Sequence, residues 1–268
     1  MSSHSLFNSF ENAKKQNRTA LLTYTVAGDP NTKSSLEIFR SIAKSGADII
    51  EVGIGHEANI GDGKAIQDST YRALSNGIKT NGAFDIIKTF RSEFDKDVII
   101  MTYQNKIMAY GEDNFIKKCN ESRVSGIIAV DWPWPINLNF SKKCKENNIV
   151  FIQLLSPTTN DSRLKSILSD AHEVVYYISM LSTTGGKLKV SSKEIINRFN
   201  KIKKISPDKK VIIGFGITQE NIKDFKKTDG CVVGSALCKE ITTSVENGHD
   251  PATKIGEMVS NLSKELLK

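Results

Sequence analysis

Eight short runs rich in β-branched residues recur along the chain, each followed by a stretch of helical period. They cover residues 20–26, 49–54, 98–102, 126–131, 150–155, 174–179, 211–215 and 231–234. The runs are continuously apolar rather than alternating, the mark of strands buried on both faces of a parallel sheet. Between them, Leu36, Phe39, Ile42 and Ala43 form one apolar stripe, and Ala83, Ile86, Ile87, Phe90 and Phe94 another. Strand–helix units repeated this often, with no break in composition, predict an α/β fold in which residues 1–268 form a single (β/α)8 barrel. A doubly wound open sheet would place a nucleotide fingerprint after the first strand; Gly28-Asp29-Pro30-Asn31 is a turn instead. Additional helices are expected at the N-terminus, where Leu6, Phe7, Phe10 and Ala13 share a face, and around residues 65–75 in the long interval before the third strand. Asp250 and Pro251 predict the start of the last helix.

Composition narrows the class. The longest apolar runs fall far short of the roughly 18 residues a membrane helix needs. The N-terminus has no apolar core or small-residue cleavage site, so no secretory signal is expected. Cys119, Cys144, Cys231 and Cys238 form no CxxC pair and read as reduced, buried thiols of a cytoplasmic protein. The net charge of +7 comes mostly from scattered lysines. The densest cluster, Lys201 to Lys204 plus Lys209 and Lys210, lacks an aromatic-basic motif and reads as a solvated helix end, not a nucleic-acid site. The excess positive charge suits an anionic substrate. His4, His56, His172 and His249 are isolated, so no metal site is expected.

Chemistry in such a barrel belongs at the C-terminal ends of the strands. Glu51 interrupts the apolar Ile49-Ile50-Glu51-Val52-Gly53. A carboxyl facing a barrel mouth is desolvated and its pKa rises into the range useful for proton transfer; the same sequence also fits a buried glutamate paired with a Lys or Arg. Asp62, in Gly61-Asp62-Gly63, is either a second functional carboxylate or a turn residue capping a helix that begins near Lys64. The stretch is not a Walker A loop, because Ala58 replaces the first glycine and Ala65 follows Lys64. Glycines follow the last three runs in Thr184-Gly185-Gly186, Gly214-Phe215-Gly216 and Gly234-Ser235. Glycine lets backbone N–H groups approach a phosphate, so these loops predict a phosphate site.

In register, these pieces resemble the tryptophan synthase alpha subunit family. The resemblance spans residues 20–239 and rests on Gly28-Asp29-Pro30, Gly46 to Gly53, Gly61-Asp62-Gly63, Met101-Thr102-Tyr103-Gln104-Asn105, Asp131-Trp132-Pro133, Thr184-Gly185, Gly214-Phe215-Gly216-Ile217 and Gly234-Ser235-Ala236. It implies a (β/α)8 barrel that cleaves indole-3-glycerol phosphate to indole and glyceraldehyde 3-phosphate by a retro-aldol reaction. On the resemblance, Glu51 matches the catalytic acid/base, Asp62 the carboxylate that accepts the indole N–H, and Tyr176 a tyrosine near that pair. Tyr24, Tyr103 and Val130 would line the indole pocket. Gly185, Gly216, Gly234 and Ser235 would hold the phosphate, and Thr184 would contact the aspartate on loop closure. No cofactor is implied in this chain; pyridoxal phosphate is expected only in a beta-subunit partner, in an alpha2-beta2 complex.

The chain departs from the family pattern in two places. Gly55-His56-Glu57-Ala58-Asn59 stands where Pro-Phe-Ser-Asp-Pro is usual, and Met180 where arginine is usual. Both touch loop closure and communication with the partner. They leave open a stand-alone lyase that releases free indole, or a non-catalytic barrel that activates a beta subunit. Trp132-Pro133-Trp134-Pro135 either anchors the partner or covers the barrel rim.

Overall fold

The computed structural model describes residues 5–178, 180, 181, 188, 189, 191–214 and 216–267. Its strands are β1 (Ala20–Val26), β2 (Ile49–Gly53), β3 (Asp97–Thr102), β4 (Gly126–Ala129), β5 (Val150–Phe151), β6 (Gln153–Leu155), β7 (Val174–Ile178), β8 (Met180–Leu181), β9 (Leu188–Lys189), β10 (Lys210–Gly214) and β11 (Gly230–Val233). A nine-stranded parallel sheet runs in the order β5-β4-β3-β2-β1-β11-β10-β7-β6. β5 and β6 are halves of the expected run 150–155, divided at Ile152, whose N–H still bonds the Ile127 carbonyl at 2.9 Å. Since β5 pairs with β4 and β6 with β7, this one run joins the two ends of the sheet. The result is the expected barrel of eight strand positions. β8 and β9, an antiparallel pair, were not anticipated.

The helices are α1 (Ser5–Lys15), α2 (Thr32–Lys44), α3 (Lys64–Ser75), α4 (Thr80–Glu93), α5 (Gln104–Tyr110), α6 (Glu112–Glu121), α7 (Leu138–Glu146), α8 (Asp161–Asp170), α9 (Ser192–Ile205), α10 (Ser235–Glu246) and α11 (Pro251–Glu265). Between β10 and β11 the barrel helix shrinks to a 3-10 turn, Ile222–Phe225. Local chemistry sets the starts. Asn31 caps α2 by accepting from Ser34 N–H, Ser191 and Glu194 form a capping box on α9, and Asp250 accepts from Ala252 and Thr253 N–H ahead of α11. No described helix is long and apolar enough to cross a membrane.

The strands divide their side chains between two cores. Leu22, Ile49, Ile99, Ile128, Val174 and Ile212 meet inside the barrel. The alternate residues Leu21, Ile50, Val98, Ile127, Val175 and Val211 pack outward against the helices. Both faces are therefore dry, which accounts for the unbroken apolar runs. All four cysteines are free and buried.

α1 plugs the bottom of the barrel. Leu6, Phe10 and Ala13 join the interior core. Phe10 lies so close to Gly230 that a Cβ there would stand 2.7 Å from its ring. Three lysines of the cluster serve the same end of the molecule, which corrects their reading as solvated, while Lys204 is exposed and Lys201 pairs with Asp161 at the surface. Lys210 is 6 % exposed, pairs with Glu11 and lies over the Phe7 ring. Lys203 pairs with Asp229 at 3.1 Å, and Lys209 donates to the Ala171 carbonyl at 2.7 Å. Carboxylates and carbonyls around the strand starts draw these ammonium groups inward.

Sealing the bottom leaves the C-terminal mouth as the way into the barrel, so the plug carries weight. Phe10→Ala should destabilise the fold by about 3–5 kcal/mol, the usual loss for a fully buried phenylalanine. Equilibrium denaturation measures it, and a loss under about 1 kcal/mol would show that α1 is dispensable.

Candidate active site

Glu51 occupies the inward file of β2, between Ile49 and Gly53, with Tyr24 of β1 and Ile99 of β3 as its register partners. It is 1 % exposed, and its Oε2 has no hydrogen-bond partner among the described residues. The alternative of a buried ion pair is thereby excluded for those residues. Desolvation alone pushes the Glu51 carboxyl up to about 8. At neutral pH it is a protonated acid.

Asp62 lies in the loop after β2. Its N–H bonds the Asn59 carbonyl at 3.0 Å, and its own carbonyl accepts from Gln67 Nε2 at 3.0 Å. It does not cap α3: Gly63 holds that position, without a side-chain bond. Burial raises the Asp62 carboxyl to about 6, while Asn59 and Tyr103 beside it pull the other way.

Three tyrosines frame the two carboxyls. Tyr24 and Tyr176 are 4 % exposed, and burial raises both hydroxyls far above their ordinary value, with Glu51 adding to the effect on each. Glycines make their seats. A Cβ on Gly53 would stand 2.2 Å from the Tyr24 hydroxyl, and one on Gly214 would stand 1.9 Å from that of Tyr176. Tyr103 precedes α5 with its hydroxyl near Gly61, and burial followed by the Asp62 charge pushes it up. Half-buried Val130, Leu154 and Ile178 extend the interior core toward the mouth.

The expected phosphate loops lie at the same end. Gly216 adopts φ +73°, where a side chain would be strained, and its carbonyl accepts from Asn221 Nδ2 at 2.8 Å. Gly234 packs against Tyr24 and precedes α10 without a side-chain cap, so the first-turn N–H groups from Ser235 onward lack one. Thr184 and Gly185 fall outside the described residues.

The loop after β1 is tied down at the same end of the barrel. Asp29 accepts from Arg72 Nε at 2.8 Å and Nη2 at 2.9 Å, while Arg72 Nη1 donates to Thr242 at 2.8 Å. β1, α3 and α10 are thus joined by one guanidinium.

In this chain the tryptophan loop covers part of the barrel rim. Trp132 is 7 % exposed and stacks on Phe140 at 4.9 Å. Trp134 donates to Asp170 at 2.8 Å under the Arg163 guanidinium. Apolar space between the strands and outer helices takes the Trp132 indole, Trp134 is half-buried against it, and Pro133, Pro135 and Ile136 face solvent. His172 is a packing histidine, its ring nitrogens engaged by Ser141 Oγ and Phe151 N–H.

Two residues near the carboxyls escaped the sequence reading. Asn59 is buried beside Asp62, and the His56 ring tilts against Tyr103 with centroids 5.1 Å apart. Their only signal was that they fall where the loop departs from the family pattern.

The Glu51 carboxyl has a consequence for stability. Its folded pKa of about 8 lies above the ordinary 4.5. The folded state therefore binds its proton more tightly, and stability is lost as pH rises between those values. Glu51→Gln should match the native protein near pH 4 and exceed it by a few kcal/mol at pH 9, at about 1.4 kcal/mol per pH unit crossed. Denaturation across that range checks this; a constant difference would mean that Glu51 ionises normally.

A sequence model of the tryptophan synthase alpha chain matches residues 10–266. The tryptophan synthase alpha chain of Pelagibacter ubique is 54 % identical over 258 residues, covering 96 % of this chain and 97 % of that relative. That of Methanocaldococcus jannaschii is 36 % identical over 89 % of this chain and 85 % of its own. The crystal structure of tryptophan synthase subunit alpha from Legionella pneumophila superposes with a TM-score of 0.90 at 28 % identity, over 99 % of each chain. The chain belongs to the tryptophan synthase alpha chain family.

Proposed function

We propose that this chain is a carbon–carbon lyase that cleaves indole-3-glycerol phosphate to indole and glyceraldehyde 3-phosphate, with Glu51 as the acid/base. The observation that carries this reading is Glu51 itself, buried in the barrel mouth and without a counter-charge among the described residues. Held as the neutral acid, it delivers its proton to C3 of the indole ring. The ring then carries positive charge through its nitrogen, and the ionised Asp62 accepts the N–H and stabilises that charge. Glu51, now a carboxylate, removes the proton from the hydroxyl on the carbon attached to C3. The bond between that carbon and C3 breaks, its electrons return to the ring, and the hydroxyl carbon leaves as the aldehyde. Glu51 ends protonated, so the cycle closes.

In this scheme the indole ring is the electron sink, and no metal or organic cofactor is required. Tyr24, Tyr103 and Val130 wall the ring. Tyr176 packs beside Glu51. The backbone N–H groups at Gly185, Gly216, Gly234 and Ser235 receive the phosphate, and Thr184 contacts Asp62 on loop closure. The partner in this reading is a pyridoxal-phosphate beta subunit, in an alpha2-beta2 assembly in the cytoplasm. Ile60, Met108 and Ile136, 90 %, 51 % and 71 % exposed, follow β2, β3 and β4 at the barrel mouth and offer it an apolar face. The altered loop around His56 favours one alternative, a stand-alone lyase. A non-catalytic barrel would need neither carboxyl raised.

The test mixes the chain with indole-3-glycerol phosphate and follows indole release, alone and with a beta subunit. Release that rises with the partner is expected; fast release indifferent to it would identify the stand-alone lyase. Glu51→Gln should lower kcat by about 10²–10⁴-fold, the usual contribution of a general acid/base. Retained turnover would overturn the assignment. The rate should fall on the acid side as Asp62 protonates near 6 and on the alkaline side as Glu51 ionises near 8.

A further inference from the structure

Asn59 sits at the point where the loop after β2 turns back toward the mouth. Its carbonyl accepts the Asp62 N–H at 3.0 Å, so the turn brings both side chains to one place. It is 9 % exposed, and its buried Nδ2 makes no hydrogen bond of good geometry among the described residues. A buried amide without a partner is costly, and such groups in a folded protein have a reason to be there. The nearby group that gains from a donor is the Asp62 carboxylate, and the Asn59 side chain favours its ionised form.

We propose that Asn59 is a positioning residue for Asp62, its amide turning onto the ionised carboxylate with or without substrate and fixing it as the acceptor for the indole N–H. This rests on the lyase reading above. One amide donor needs only one carboxylate oxygen, so the second oxygen stays available to the substrate. Proline, usual at this place in the family pattern, has no donor to offer, so the substitution adds one beside the carboxylate.

Asn59 is not the only donor near Asp62. Tyr103, at the start of α5, also favours the ionised Asp62 carboxyl, and burial first, then the charges of Asp62 and neighbouring Asp131, keep its hydroxyl protonated. Tyr24 from β1 and Cys238 from α10 feel the Asp62 charge as unfavourable to their own ionisation, and Glu51 of β2 acts on Tyr24 in the same sense. His56 faces Tyr103, and Lys64, next but one in the chain, is paired with Asp68 in solvent.

The deciding measurement is the titration of the Asp62 carboxyl by carbon-13 NMR in the full-length chain, native against Asn59→Ala. Loss of one donor should raise its midpoint by roughly 0.5–1 pH unit, the equivalent of one modest hydrogen bond. Asn59→Leu, which keeps the volume but has no donor, should raise it as well, and it serves if the alanine variant unfolds. An unchanged midpoint in a folded variant would overturn the proposal. The carboxyl is read directly, so this result stands whether or not the chain cleaves substrate. Turnover adds a second discriminator. With Asn59 removed, the acid limb of kcat/KM should move up with the carboxyl, and kcat should fall about tenfold with KM held within about twofold. A purely structural role would lower both variants' stability and leave the limb in place.

Discussion

Desolvating a carboxyl without giving it a counter-charge disfavours its ionised form, and Glu51 is desolvated by every wall around it. The inward file of β2 sets it between Ile49 and Gly53, Tyr24 stands opposite it in register, and α1 seals the barrel from below. Water and cations reach such a group only from the mouth. Its free energy is spent on keeping a proton, which is what an acid at neutral pH must do. Asp62, half-buried and flanked by Asn59 and Tyr103, is held near 6 instead. Two carboxyls within one mouth are thus separated in pKa by burial on one side and by neighbouring donors on the other.

That separation depends on close packing. The tyrosines that dry the mouth fit only because Gly53 and Gly214 leave room where a Cβ would collide with their hydroxyls. The same guanidinium that holds Asp29 also reaches Thr242, so the loop after β1 is fixed to the helix that follows Asp62 and to the helix that follows the last strand. Position in the mouth is therefore inherited from the barrel and not from the loops alone.

Much of this was legible in the sequence. Strands buried on both faces read as unbroken apolar runs, so a polar residue within one, such as Glu51, stood out. The Asp250–Pro251 start and the extra helix of 65–75 followed from local chemistry, and α1 from a short apolar face. What resisted reading depends on contacts distant in the chain. Lys210 looked solvated because its partner Glu11 lies 199 residues away. Trp132 and Trp134 read equally as interface anchors or rim cover, because their contacts, Phe140 and Asp170, lie on later helices. The break at Ile152 and the burial of Asn59 are set by barrel closure and loop geometry, which no periodicity records.

The central claim is that Glu51 rests protonated at neutral pH. Difference infrared spectroscopy of the native chain against Glu51→Gln, across pH 5 to 10, isolates the carbonyl stretch of this one protonated carboxyl. The account predicts that the band persists at pH 7 and disappears with a midpoint near 8. A band already gone at pH 6 would show an ordinary, ionised glutamate and would contradict it.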